Sequence, residues 1–250
     1  MDSENAPAVV PEPETLGEFS RLTGVIFDPG RTFEDIARRP TWLAPMLVVI
    51  AVSCLYIGLF TQHVGWERFM RQQMESNPRV QQLSPEQKEQ AIAVQSKLGP
   101  IFGYGGVIVG TPIFDLISAA VLLGIVAGIL SAPVKFKQVF AVVCYSGMPA
   151  IIGTALAIVV MFLKSPTDFN MQNPLAFNVG AFLDPTATSK FMYSLASSID
   201  LFVLWTILLL ATGLKAAAGK KLTFTGALIA VVLPWAVLVL GKAALAGAFS

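Results

Sequence analysis

Five stretches without a single Asp, Glu, Lys or Arg constrain this chain more than anything else in it: residues 40–66, 116–134, 138–163, 201–214 and 222–241. An uncharged apolar run of about 18 residues or more reads as a transmembrane helix. Roughly 20 residues rising 1.5 Å each cross the ~30 Å hydrocarbon core. The fourth run is short, but apolar sequence continues upstream past Asp200 to about Tyr193 and lengthens it to a span. The expected fold is therefore all-α, a polytopic bundle of five transmembrane helices at about residues 42–60, 107–130, 138–163, 193–214 and 224–249.

Composition narrows the function classes. Charged residues are 13% of the 250, about half the ~25% usual in soluble domains, which leaves no room for a large soluble domain. The net charge of +1 gives no argument for nucleic acid. One histidine, His63, and two cysteines, Cys54 and Cys144, both inside apolar runs, offer neither a zinc cluster nor a disulfide framework. No metal and no cofactor is expected. The chain has no GxSxG, HExxH, P-loop or CxxC motif, so it does not read as an enzyme.

Residues 1–14 are acidic and proline-rich, with Pro7, Pro11 and Pro13, and read as a mobile tail ahead of a membrane domain at 15–250. The first eighteen residues carry five acids and no base, unlike the start of a signal peptide, so the first helix is expected to stay as a span. Leu16, Phe19, Leu22, Ile26 and Phe27 recur at helical spacing, and Asp28-Pro29-Gly30 makes a turn. Thr32-x-x-Asp35 then opens a second short helix with Phe33 and Ile36 on its apolar side. These two amphipathic helices either lie in the headgroup layer or pack on the protein. Ser84-Pro85-Glu86-Gln87 marks a further helix start in the polar connection after span 1.

Orientation follows from the basic residues. The two tight loops at 131–137 and 215–221 hold five lysines and no acid, whereas the longer loops mix signs. That density places the N-terminus in the cytoplasm and the C-terminus outside.

Three ionisable residues fall inside the expected spans: Asp115, Asp200 and Lys242. Each lies about seven or eight residues, roughly 10–12 Å, from the outer end of its span. At one common depth two carboxylates and an ammonium can neutralise one another as a structural ion pair, form a site for a proton or cation, or simply face a water-filled vestibule. Span 2 also carries Gly106-x-x-x-Gly110 and Gly124-x-x-x-Gly128, the small-residue spacing that lets helix backbones approach. The motifs begin eighteen residues apart, five turns, so they share a face opposite Asp115. Span 2 is expected at the centre of the bundle.

The entry to span 1 runs Phe27-Asp28-Pro29, Phe33-Glu34-Asp35-Ile36-Ala37 and Arg39-Pro40-Thr41-Trp42-Leu43-Ala44-Pro45. Together with Tyr145, Ser146 and Pro149 in span 3 and Ile199-Asp200-Leu201-Phe202, which is similar to the start of the family's fourth span, it resembles bacterial members of the Yip family. The resemblance implies a five-span membrane protein with a cytoplasmic N-terminus, in the bacterial inner membrane. Eukaryotic members act in vesicle traffic and bind small GTPases. The aromatic and glycine motif tied to that role is missing from residues 1–39, and Cys144 stands where the family has glycine, so GTPase binding is not carried over. The expected function is non-enzymatic, through membrane organisation or protein assembly, with the lipid bilayer, a second copy or another membrane protein as partners. The alternative is a transporter or channel using Asp115, Asp200 and Lys242.

Overall fold

The computed structural model describes residues 15–75, 83–171, 173–184 and 187–248; the acidic tail expected at 1–14 lies outside the described residues. Two short helices lead, α1 (Glu18–Phe27) and α2 (Pro29–Arg38), followed by α3 (Leu43–His63) and α4 (Trp66–Glu75). α5 (Pro85–Gly105) and α6 (Thr111–Leu123) come next, then α7 (Phe136–Ser146) and α8 (Met148–Leu163). α9 (Lys190–Ser197), α10 (Leu201–Ala218) and α11 (Phe224–Ala248) complete the chain. Five segments are long and apolar enough to cross a membrane: Leu43–His63, Pro85–Ile129, Phe136–Leu163, Leu201–Lys221 and Phe224–Ala248. No strand forms among the described residues beyond one antiparallel bridge, Asn178 to Asp200. The N-terminal hairpin and the loops after spans 2 and 4 gather at one face of the bundle, the near face. The α3–α4 turn and the described residues between α8 and α10 lie at the far face.

The second span is longer than a bilayer requires. α5 and α6 join through π-helical turns at Gly106–Gly110, and a second π-helical stretch, Gly124–Ile129, continues α6. The result is 45 residues of continuous helix, about 67 Å against a ~30 Å core. Its polar first turns project from the far face as a stalk. The start is the expected one: Ser84 Oγ accepts from the Gln87 amide at 3.2 Å and Gln87 Oε1 from the Ser84 amide at 3.0 Å. α4 folds back along this stalk because Gly65 adopts φ +83° after α3, a left-handed turn that favours glycine. Arg71 then bridges Glu67 and Glu89, at 2.9 and 2.6 Å.

α10 sits at the centre, packed by α2, α7, α8 and α11. A Cβ at Gly213 would lie 2.5 Å from Val142 and 2.9 Å from the Phe33 ring, so glycine is what lets α2 and α7 close on α10. The core there is apolar: Phe33, Ile36, Val139, Val142, Ala211 and Leu214 are buried.

α2 thus packs on protein. It begins at Pro29 rather than at Thr32, because Asp28 caps it, accepting from the Arg31 amide, and proline suits the first helical position. Thr32 is instead buried, its hydroxyl donating to the Asp28 carbonyl at 2.7 Å. On α1 the buried face is Arg21 and Val25, with Leu22 and Ile26 of the expected stripe packed beside it, while Phe19 and Phe27 are 78% and 85% exposed. The hairpin needs close approach at Gly24, where a Cβ would meet Thr32, and that rotates α1.

Span 2 does not occupy the centre. Ala119, Leu122 and Val126 are its buried residues around α6, while Ile108, Val109, Ile113, Phe114 and Ile117 face outward. The glycine motifs face outward with them. Gly106, Gly110, Gly124 and Gly128 have no other part of the chain within 4 Å of where a Cβ would stand. The four glycines thus share a face, as their spacing predicts, but it is the outward one, because span 2 packs through Ala119, Leu122 and Val126 instead. Asp115 does lie on the opposite side, towards α7.

Candidate functional site

The three charged residues expected at one depth are not brought together. Asp200 is not inside a span: it is the N-cap of α10, its Oδ1 accepting from the Phe202 and Val203 amides at 2.8 and 3.3 Å. The apolar sequence upstream forms the separate helix α9, packed on α11, so α10 begins at Leu201. An aspartate ahead of an apolar run satisfies two of the four orphan amides at a helix start, which a mid-helix position would not use. Lys242 donates to Ser198 Oγ at 3.4 Å and is exposed at the far face. Asp115 lies beside the Cys144 thiol of α7. Among the described residues, none of the three makes an ion pair within 4.0 Å.

The polar cluster that does assemble lies at the near face, where α1, α2, the start of α3 and α7 converge. Arg21 is 3% exposed and Asp35 2%. Arg21 Nε donates to Asp35 Oδ2 at 2.7 Å. Its Nη1 donates to Thr41 Oγ1 at 2.8 Å and to the Arg39 carbonyl at 3.1 Å, and lies 3.5 Å from Glu18 Oε1. Thr41 in turn donates to Glu18 Oε1 at 2.9 Å, and Tyr145 OH to Glu18 Oε2 at 2.7 Å. Gln138 Nε2 closes the set on the Ala37 carbonyl at 2.9 Å. A buried guanidinium is tolerable only when its charge and its donors are matched, and here a carboxylate, a hydroxyl and a carbonyl match them. The cluster fastens the N-terminal hairpin to the third span.

Tyr145, singled out from the span-3 motif, is therefore a member of this cluster and is fully buried. Ser146 is also fully buried, with its hydroxyl unpartnered. Pro149 opens α8 just after the break at Gly147, at a first-turn position where its missing amide costs nothing. Arg21 and Glu18 escaped the sequence reading, and Asp35 and Thr41 entered it only as part of a helix start and of the family-like entry to span 1. One signal was present: an arginine between Glu18 and Val25 on a helix otherwise apolar on that side, with an aspartate fourteen residues on across a Pro-Gly turn.

Five apolar spans, an amphipathic hairpin wedged into one face and a far-face stalk define a polytopic α-helical membrane protein. The Yip1 domain family model matches residues 23–245, nearly the whole chain, and the protein belongs to that family. Among curated proteins it is similar to "Membrane protein YknW" of Bacillus subtilis, 26% identical over 217 residues, which cover 86% of this chain and 87% of that one. No solved structure matches significantly.

Proposed function

We infer that the protein acts without catalysis, through membrane organisation or protein assembly in the bacterial cytoplasmic membrane. The observation that carries this reading is where the polar side chains go. Arg21, Asp35, Glu18, Thr41 and Tyr145 dock a hairpin, Asp200 caps a helix and Lys242 meets a serine hydroxyl. These are structural duties, and they leave a surface rather than a reaction centre as the working part. The five lysines at 131–137 and 215–221 share the near face with the hairpin, which supports an N-terminus in the cytoplasm and a C-terminus outside. The glycines at 106, 110, 124 and 128 lie open on the outward side of span 2, and the partner in this reading is span 2 of a second copy.

A transport reading has one observation in its favour: Asp115 lies beside the Cys144 thiol with no cation within 4.0 Å among the described residues, and the unpartnered Ser146 hydroxyl is two residues along the chain from that cysteine. The two readings separate in one preparation. A Gly110→Cys variant lacking Cys54 and Cys144 should form a disulfide-linked dimer in native membranes on mild oxidation. Proteoliposomes of the wild type should show no ion or lipid flux above that of Asp115→Asn. Flux that depends on Asp115 would overturn the assembly reading in favour of transport.

A further inference from the structure

Gln138, in the first turn of α7, donates its side-chain amide to the Ala37 carbonyl near the end of α2 at 2.9 Å. That bond brings Arg38 and Arg39, which follow Ala37, up to Lys135 and Lys137 at the start of α7, and all four residues are exposed.

Little neutralises them. Asp35 lies 3.9 Å from Arg38, but it is buried and bonded to Arg21 at 2.7 Å. Glu18 also faces Arg21, and it accepts from Thr41 and Tyr145. Neither α3 nor α7 carries an acid, and the exposed Glu34 is the one other carboxylate of α2. Among the described residues, Arg39, Lys135 and Lys137 form no ion pair within 4.0 Å.

Depth decides what such a charge surplus meets. α3 begins at Leu43, and its 21 residues rise about 31 Å, the thickness of the hydrocarbon core. Leu43 therefore stands at the near edge of the hydrocarbon, and residues 38–42 stand in the headgroup layer, where lipid phosphates lie. The aromatic rings agree. Trp42 meets Phe140 at 5.3 Å, and Phe140 stacks on the half-exposed Phe136 ring at 5.8 Å, a boundary position that suits tryptophan. A phosphodiester at this level finds two guanidinium forks, two ammonium groups and an aromatic ring beneath them. A zwitterionic head would carry its own cation into the same place, so the charge favours a lipid with net negative charge.

We propose that the junction of α2 and α7 binds one anionic phospholipid of the near leaflet, its phosphate between the arginine and lysine pairs and its first chain carbons against Phe136. The site lies apart from the glycine face of span 2, is independent of the assembly reading, and holds whichever way the protein faces. The test is native mass spectrometry of the full-length protein, released from micelles that contain equal amounts of phosphatidylglycerol and phosphatidylcholine. The wild type should keep one phosphatidylglycerol, preferred about fivefold or more, since each cation near an anionic lipid is worth about that factor. Arg38→Gln, Arg39→Gln, Lys135→Gln and Lys137→Gln together should remove the preference. Lys135→Gln with Lys137→Gln should weaken it while leaving the arginines and the Asp35 contact in place. A control, Lys215→Gln with Lys220→Gln and Lys221→Gln, takes charge from the same face and should keep the lipid.

Equal retention of the two lipids by the wild type would overturn the site. So would a preference that the control lowers as much as the quadruple variant does, which would mean a diffuse basic surface. A dimer in the same spectra that the quadruple variant abolishes would put a second copy at the junction. A preference seen only after Asp2→Asn, Glu4→Gln, Glu12→Gln and Glu14→Gln would make the acidic N-terminal residues the occupant. Either result overturns the lipid site.

Discussion

Removing Asp35 should cost more than any other single polar deletion near the N-terminus, because it strands the Arg21 guanidinium in a site that is 3% exposed. Breaking one side of a buried pair typically costs about 3–5 kcal/mol, while replacing both partners with apolar groups is often near neutral. Asp35→Ala should therefore lower the detergent unfolding temperature strongly, and the pair Arg21→Met with Asp35→Leu should recover much of the loss. If the double variant is no more stable than Asp35→Ala, the pair is not the source of the effect. Tyr145→Phe is a milder change: its acceptor, Glu18, is half-exposed and can turn to water, so about 1 kcal/mol is expected. Asp200→Ala removes a cap rather than a charge partner, and should likewise cost about 1 kcal/mol by the same melt.

Among the elements, α2 is the one whose seat depends on a single missing side chain. Gly213→Ala would drive a methyl into Val142 and Phe33, and overpacking of a closed core costs about 1–3 kcal/mol. Because α10 and α7 are held by other neighbours, the strain should fall on the hairpin. Hydrogen exchange should then rise across Pro29–Arg38 while α10 stays protected; uniform exchange over all helices would show that the hairpin is not a separable unit. Span 4 teaches a related point about helix boundaries. An aspartate within apolar sequence can be a costly interior charge or a cap, and the difference is whether the preceding residues continue the helix. Here Ser198 and Ile199 do not: the Ile199 carbonyl and the Leu201 amide bond to Val179 and Phe177 instead.

For the molecule as a whole, the orientation is the prediction with most consequence. On a background of Cys54→Ala and Cys144→Ala, a membrane-impermeant maleimide added to intact cells should label Ser96→Cys and Ser165→Cys at the far face. Lys137→Cys at the near face should stay unlabelled until the cells are opened. The reverse pattern would invert the protein, and would place the stalk in the cytoplasm. The near face would then hold its five loop lysines outside, against the usual bias.

The spans were legible in the sequence for a reason of scale. Hydrocarbon imposes a length and excludes charge, and both are counted along one dimension; the five uncharged runs sufficed. The same holds for the cap at Ser84, whose partners are three residues away. The order of the helices around α10 had no such local record. Gly106 and Gly110 read as packing glycines but face outward, whereas Gly213 carries no motif and lies where α2 and α7 close on α10. Asp115, Asp200 and Lys242 looked equivalent by depth and were separated by which neighbour each helix met. Asp35 read as part of a helix start and Arg21 carried no motif, yet the two form the buried pair. Length and polarity are properties of a segment, and the sequence by itself determined them. Which polar group is buried depends on the surfaces that several segments offer one another, and only the tertiary structure decided that.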